Sequence, residues 1–312
     1  MTDIDAAIAM LSSVDTALRH EAIEAIGETG ERRGIGPLVA LLRDCDLGTR
    51  DAAVNTLISI GGAEVADAVL PLLYEEDDAA LRNMAVEILE RLGGFGVSAV
   101  IPLLSEKDED VLKFAIDTIG RCVLSSAPPD VNGAAASLTR LCGHPNPNIR
   151  ASTAITLAKL RAFSSVQSLI EMLKDDDEWV RFSVLEALGS IGSPDIIDRL
   201  LSAVERDDMS RLAAIDALSN LVHEDDAKKV MPFIENRDIS FAISTDTAVR
   251  FMERLGGSLE DRDKEVFLDI LKARLGYGSI EEKRQALSGI RLLKYKGAIP
   301  ALVAFAADLK EG

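Results

Sequence analysis

Several residue types are scarce in this chain. Of 312 residues, 3 are His, 3 are Cys and 1 is Trp, and aromatic residues as a whole make up 4%. Cys45, Cys122 and Cys142 are odd in number and show no CxxC spacing. They exclude a sulfur-ligated zinc site and a disulfide framework, and read as free thiols of a reducing compartment. Basic residues are outnumbered, 34 Lys+Arg against 52 Asp+Glu for a net charge of −18. A nucleic-acid partner is therefore not expected, because phosphate binding rests on Lys and Arg contacts. No apolar run approaches the roughly 18 residues of a membrane span. The opening MTDIDAAIAMLSS carries two acids and no basic stretch, unlike a secretory signal. The cytoplasm is the expected compartment, with no membrane partner. There is also no GxxxxGK[ST] or GxSxG motif and no GxGxxG following a strand, so neither a nucleotide site nor a hydrolase elbow is indicated.

What is present is 47% hydrophobic and 28% charged, the balance of a globular chain. Ala, Leu and Ile dominate, which favours helices packed through small aliphatic side chains over a sandwich or barrel. The length suits two domains or one extended array.

Internal repetition decides between these. Segments such as DTALRHEAIEAIGETG, DAALRNMAVEILERLGG and DEWVRFSVLEALGSIG superimpose on Arg19, Arg50, Arg82, Arg150, Arg181 and Arg211, with Leu112 in the same column. The spacing is 30 to 32 residues except for one step of 38, where the Pro- and Gly-containing SSAPPDVNG at Ser125 to Gly133 marks an inserted loop. Each unit reads as a short apolar helix followed by a longer amphipathic one. Val184, Leu185, Leu188 and Ile191 form one stripe of the longer helix at 100° per residue. Gly30, Gly61, Gly93 and Gly192 stand where that helix would close in a left-handed cap. Pro37 and Pro194 lie near helix starts, where a missing N–H costs little, whereas Pro71 and Pro102 fall later and are expected to bend their helices. One hairpin cannot bury its stripe alone, so neighbours must stack. The predicted fold is all-α, an α-solenoid (superhelix) of about nine stacked antiparallel hairpins.

Four residues before the aligned column stand Asp15, Asp46, Asp78, Asp108, Asn146, Asp177 and Asp207. Each can accept from the free N–H groups of a helix start. Paired with Arg19, Arg50, Arg82, Arg181 and Arg211, these acids predict an Asp–Arg ladder that sets hairpin orientation.

The Asp…Val-Arg…Ala…Leu…Gly pattern, clearest at Asp177, Val180, Arg181, Ala187, Leu188 and Gly192, resembles the HEAT-repeat superfamily, and most closely its short bacterial and archaeal form named after phycobilisome lyases. The resemblance covers residues 1–223. In residues 224–312 the repeats diverge: Thr245 and Lys283 take the basic column, no capping Asp accompanies them, and a closing helix, GAIPALVAFAADL, follows. Both regions are read as one continuous solenoid. The expected function, resting on the acidic stripe and apolar patch described below, is a non-enzymatic scaffold or adaptor that binds another protein along its concave face, with a lyase-like or chaperone-like accessory factor acting on a cofactor-bearing protein as the alternative. The iron-binding HEAT enzymes that hydroxylate deoxyhypusine use four His-Glu pairs. This chain has two, at His20 and His223, in different registers, so no metal or cofactor is expected.

In HEAT-like solenoids the second helix lines the concave side. Five residues after the aligned column, about 140° around the helix, stand Glu24, Asn55, Glu87, Asp117, Ile155, Glu186 and Asp216. Five of these seven are acidic, which suits a partner protein with a basic segment and repels phosphates. Arg91, Arg121 and Lys159 lie one turn further on and are placed to neutralise the middle of the stripe. Phe182 and Leu212 occupy a position where earlier repeats carry His20, Asp51, Asn83 and Lys113. With Ile155 and Trp179 they form a candidate apolar anchor across the fifth to seventh repeats. The sequence leaves the partner's identity and the oligomeric state open.

Overall fold

The computed structural model describes residues 4–122, 131–192, 196–204 and 208–311, and every regular element among them is helical. The chain packs as two units, Met1–Ser165 and Val166–Gly312. The first holds α1 (Ile4–Met10), α2 (Thr16–Thr29), α3 (Ile35–Leu41), α4 (Leu47–Ile60), α5 (Ala63–Val69), α6 (Ala79–Arg91), α7 (Gly94–Val100), α8 (Glu109–Cys122), α9 (Val131–Thr139) and α10 (Pro147–Lys159). The second holds α11 (Val166–Met172), α12 (Glu178–Ile191), α13 (Ile197–Val204), α14 (Asp208–Leu221), α15 (Ala227–Ile234), α16 (Arg237–Ala242), α17 (Thr245–Leu255), α18 (Asp261–Tyr277), α19 (Ile280–Leu293) and α20 (Ile299–Glu311).

Hairpin partners pack together, as α1 with α2, α7 with α8 or α13 with α14, and the long helices stack in order within each unit: α2, α4, α6, α8 and α10 in the first, α12, α14, α17 and α19 in the second. This is an all-α solenoid arrangement of helical hairpins. Val184, Leu185, Leu188 and Ile191 are buried, each Leu or Ile contributing about 1.5–3 kcal/mol of transfer free energy.

The acidic column starts the long helices. Asp15 accepts from the Ala17 N–H at 2.9 Å, Asp46 from Thr49 at 2.7 Å, Asp78 from Leu81 at 2.9 Å and Asp177 from Trp179 at 2.9 Å and Val180 at 3.1 Å. Asp108 and Asn146 cap α8 and α10 in the same manner. Asp207 and Pro194 lie outside the described residues.

The arginine column departs from the expected ladder. Its side chains turn back to the carbonyls that close the preceding turn: Arg181 donates to Asp175 O at 2.8 Å and Asp176 O at 3.0 Å, Arg150 to His144 O at 2.8 Å, and Arg211 to Val204 O at 3.1 Å. Arg82 reaches Glu75 O and Glu76 O, and Arg50 reaches Asp44 O. Arg19 forms its ion pair with Asp44 at 3.1 Å and not with Asp15 or Asp46. The capping acids already accept from backbone N–H groups, and a guanidinium with five donors gains more from the unfilled carbonyls nearby.

Gly30, Gly61, Gly93 and Gly192 end helices at φ between 58° and 85°, a range that side chains with a Cβ rarely adopt. Pro71 and Pro102 break rather than bend: α5 and α7 tighten into 3-10 turns at Leu70–Tyr74 and Ile101–Ser105, each with Pro near its start. Of the expected inserted loop, Ser125 to Asp130 lie outside the described residues, and Val131 to Gly133 belong to α9. In the divergent region serine replaces the capping Asp. Ser244 accepts from the Thr247 N–H and Ser279 from the Glu282 N–H. Counting four residues from each cap keeps Lys283 in the column but puts Ala248 there in place of Thr245.

Candidate functional site

The column on the open side of the long helices carries partly neutralised acid. Glu24, Glu87, Glu186 and Asp216 are exposed, and Asp117 and Ile155 are half-buried. Lys113 pairs with Asp117 on α8, and Arg91 approaches Glu87 to 3.8 Å on α6. Arg121 pairs with Glu90 at 2.8 Å, a carboxylate outside the column. Burial, only partly offset by that guanidinium, pushes the Glu90 carboxyl up. Asp216 on α14 is bound by Arg250 of α17 and accepts from Thr247 Oγ1 at 3.0 Å. Neither Arg250 nor Thr247 was singled out from the sequence, because their role depends on the Ser244 register. Glu186 has no cationic partner among the described residues. Its carboxyl is pushed up first by burial and then by the negative charge of Asp216.

The aromatic residues lie in the second unit. Trp179 and Phe182, one turn apart on α12, stack with centroids 5.3 Å apart and planes 9° apart. Trp179 remains 50% exposed, and Leu212 on the neighbouring α14 is 48% exposed. Met209, two positions before Arg211 as Trp179 is before Arg181, is also exposed. Its exposure is not legible in the sequence, since thioethers are usual in cores. Ile155 belongs to the first unit, on α10. Across the face, α12 and α14 approach closely near their C-terminal halves, where a Cβ on Gly189 would stand 2.8 Å from Ala217 Cα.

The three histidines serve local structure. His20 lies 3.3 Å from Thr49 Oγ1, His144 accepts from the Asn146 N–H at 3.1 Å, and His223 caps a 3-10 turn at Glu224–Asp226. Among the described residues no three His, Cys, Asp or Glu side chains gather as a metal site requires. Cys122 is buried, and burial raises its thiol to about 12. Cys142 is raised to about 11 for the same reason, so burial disfavours the thiolate of both. No helix of the described residues is long and apolar enough to cross a membrane.

A family model described as HEAT repeats matches residues 4–90, 97–187 and 135–219. The chain belongs to the HEAT-repeat family. The cap-and-arginine hairpins above are thus HEAT hairpins, and the match is to the family as a whole rather than to its phycobilisome-lyase form. No curated protein matches the sequence. Among solved structures, importin beta crystallised in ammonium sulfate is similar at a TM-score of 0.64 and 14% identity, over 97% of this chain and 49% of that one. Kap121p bound to Nup53p is similar at a TM-score of 0.62 and 12% identity, over 99% of this chain and 43% of that one. Kap121p bound to Pho4p gives 0.62 and 12%, over 99% and 44%. The chain spans about half the length of these importin-type structures or less. At such identities the likeness is one of HEAT fold.

Proposed function

We propose that this HEAT-repeat chain is a non-enzymatic scaffold that binds another protein on the face formed by its long second helices, the concave side in HEAT-like solenoids. HEAT solenoids serve as protein-interaction scaffolds, and the fold-level neighbours include chains solved with the proteins Nup53p and Pho4p. The observation that carries the reading is the stacked Trp179–Phe182 pair, in which Trp179 stands half open to solvent beside an equally open Leu212. Aromatic anchors in a polar surround dominate binding at protein interfaces, and clustered exposed apolar side chains mark interaction surfaces. The acids Glu24, Glu87, Asp117, Glu186 and Asp216 steer the approach of a partner with basic character.

The test is a pull-down from native lysate with wild type and a Phe182→Ala, Leu212→Asp double variant, after circular dichroism confirms equal helicity. A protein retained by wild type and lost by the variant, and then bound directly when purified, supports the reading. Equal retention by both removes the α12–α14 face from the function.

A further inference from the structure

The two helices that carry the anchor repeat one pattern. On α12, Trp179, Phe182 and Glu186 fall at positions i, i+3 and i+7. On α14, Met209, Leu212 and Asp216 fall at the same three positions. Such residues share a helix face, so each helix presents an apolar end and an acidic end. The first unit does not repeat this: α2 offers Ala17, His20 and Glu24, and α8 offers Asp110, Lys113 and Asp117. The acidic ends differ in one respect. Asp216 is occupied by Arg250 and Thr247, whereas Glu186 has no cation among the described residues and stands within the field of Asp216. The attraction of an incoming cation at Glu186 offsets the cost of its partial burial and the repulsion from Asp216. A second incoming cation would have to displace Arg250.

We propose that the second unit reads a mixed motif: an apolar side chain seated on Trp179, Phe182, Met209 and Leu212, and a single Arg or Lys meeting Glu186. This deepens the scaffold reading and rests on it, but it names a partner segment different from a polybasic one. The spacing follows from helix geometry. Glu186 lies four to seven residues beyond the aromatic pair, about 6–10 Å at 1.5 Å per residue. An extended partner at roughly 3.3 Å per residue therefore places its cation two or three residues from its apolar anchor. The motif runs with the anchor over the N-terminal ends of α12 and α14 and the cation toward their middles.

The probe is a phage-displayed library of random twelve-residue peptides panned on the full chain. Enriched peptides are then synthesised and titrated while following Trp179, the single tryptophan of the chain and so a reporter inside the site itself. The expected result is enrichment of peptides with a large apolar residue and one Arg or Lys two or three positions away, each shifting the Trp179 emission. Glu186→Gln, a same-shape change at an exposed position, is expected to weaken them about tenfold or more. Glu186→Lys is expected to enrich peptides with Asp or Glu in place of the cation. Enrichment of polybasic peptides without an apolar anchor, or affinities unchanged by Glu186→Gln, would overturn the inference, and so would a library that yields no binder. Peptides that bind but leave the Trp179 emission unmoved occupy another surface. They sink this inference while leaving the scaffold reading to stand or fall on its own pull-down.

Discussion

Arg19 binds Asp44, 25 residues further along and in the next hairpin, with Nε 3.1 Å from the carboxylate and side chains only 8% and 12% exposed. Asp44 also accepts from the Asp46 N–H at 2.9 Å, so the pair links two hairpins and the cap of the second. Removing one partner of a nearly buried pair strands the other. Arg19→Met is expected to destabilise by about 3 kcal/mol. In a double-variant cycle with Asp44→Asn, measured by chemical denaturation, the two losses should sum to well above that of the double variant. Strict additivity would show that the pair is not coupled.

Capping predicts a second effect. Asp177 accepts from two N–H groups at the start of α12, so Asp177→Ala should cost about 1 kcal/mol, while Asp177→Asn, which keeps the acceptor, should cost far less. Urea midpoints of the three proteins check this.

Asp46 titrates below its ordinary value of 3.8, held down first by the Thr49 N–H, then by the Thr49 hydroxyl and by His20. Backbone and side-chain bonds to Arg33 and to Ser279 hold Glu31 and Glu282 down likewise. A depressed carboxyl stabilises the fold above its unfolded value and loses that contribution as pH falls through the folded one. Acid melts should therefore show stability falling below about pH 4, and the fall should be shallower in Asp46→Asn.

Glu186 carries the opposite sign. Its raised carboxyl disfavours the ionised folded state, a cost absent below 4.5 and complete once pH exceeds the folded value. Relative to wild type, Glu186→Gln should gain melting temperature at pH 7 and lose that gain at pH 4. A constant difference at both values would place the effect elsewhere.

The close approach of α12 and α14 gives a packing prediction. A methyl at Gly189 would press on Ala217 at 2.8 Å, backbone included, so Gly189→Ala should destabilise by about 1–3 kcal/mol by separating the helices. Gly192→Ala, whose Cβ meets nothing but whose φ is 85°, should destabilise through strain instead. Peptide binding at the Trp179 face should suffer only in the first.

The repeat, its hairpins and the capping acids were legible in the sequence because each is a local rule: apolar period, Asp four residues before the column, Gly after the helix. What side chains do across hairpins was not. The arginine column reads as a partner for nearby acids, yet Arg82 and Arg50 fill carbonyls that only the folded turn presents. Arg250 reaches Asp216 because Ser244 resets the register of α17, and serine is too common to signal a cap by itself. The acidic column was visible as composition. That Lys113 and Arg250 occupy two of its members, leaving Glu186 open, is a property of side-chain placement.

The bonds that join one hairpin to the next also fix how this protein assembles. Arg19 and Asp44 stand 25 positions apart, Arg250 and Asp216 34, and Thr156 and Ile116 40. Each interface closes a loop of about one repeat, so contact order stays low and the entropic toll of each step is small and similar along the array. Folding can then start at any well-packed hairpin pair and spread to its neighbours, and a weakened interface becomes a place where melting begins and from which it travels.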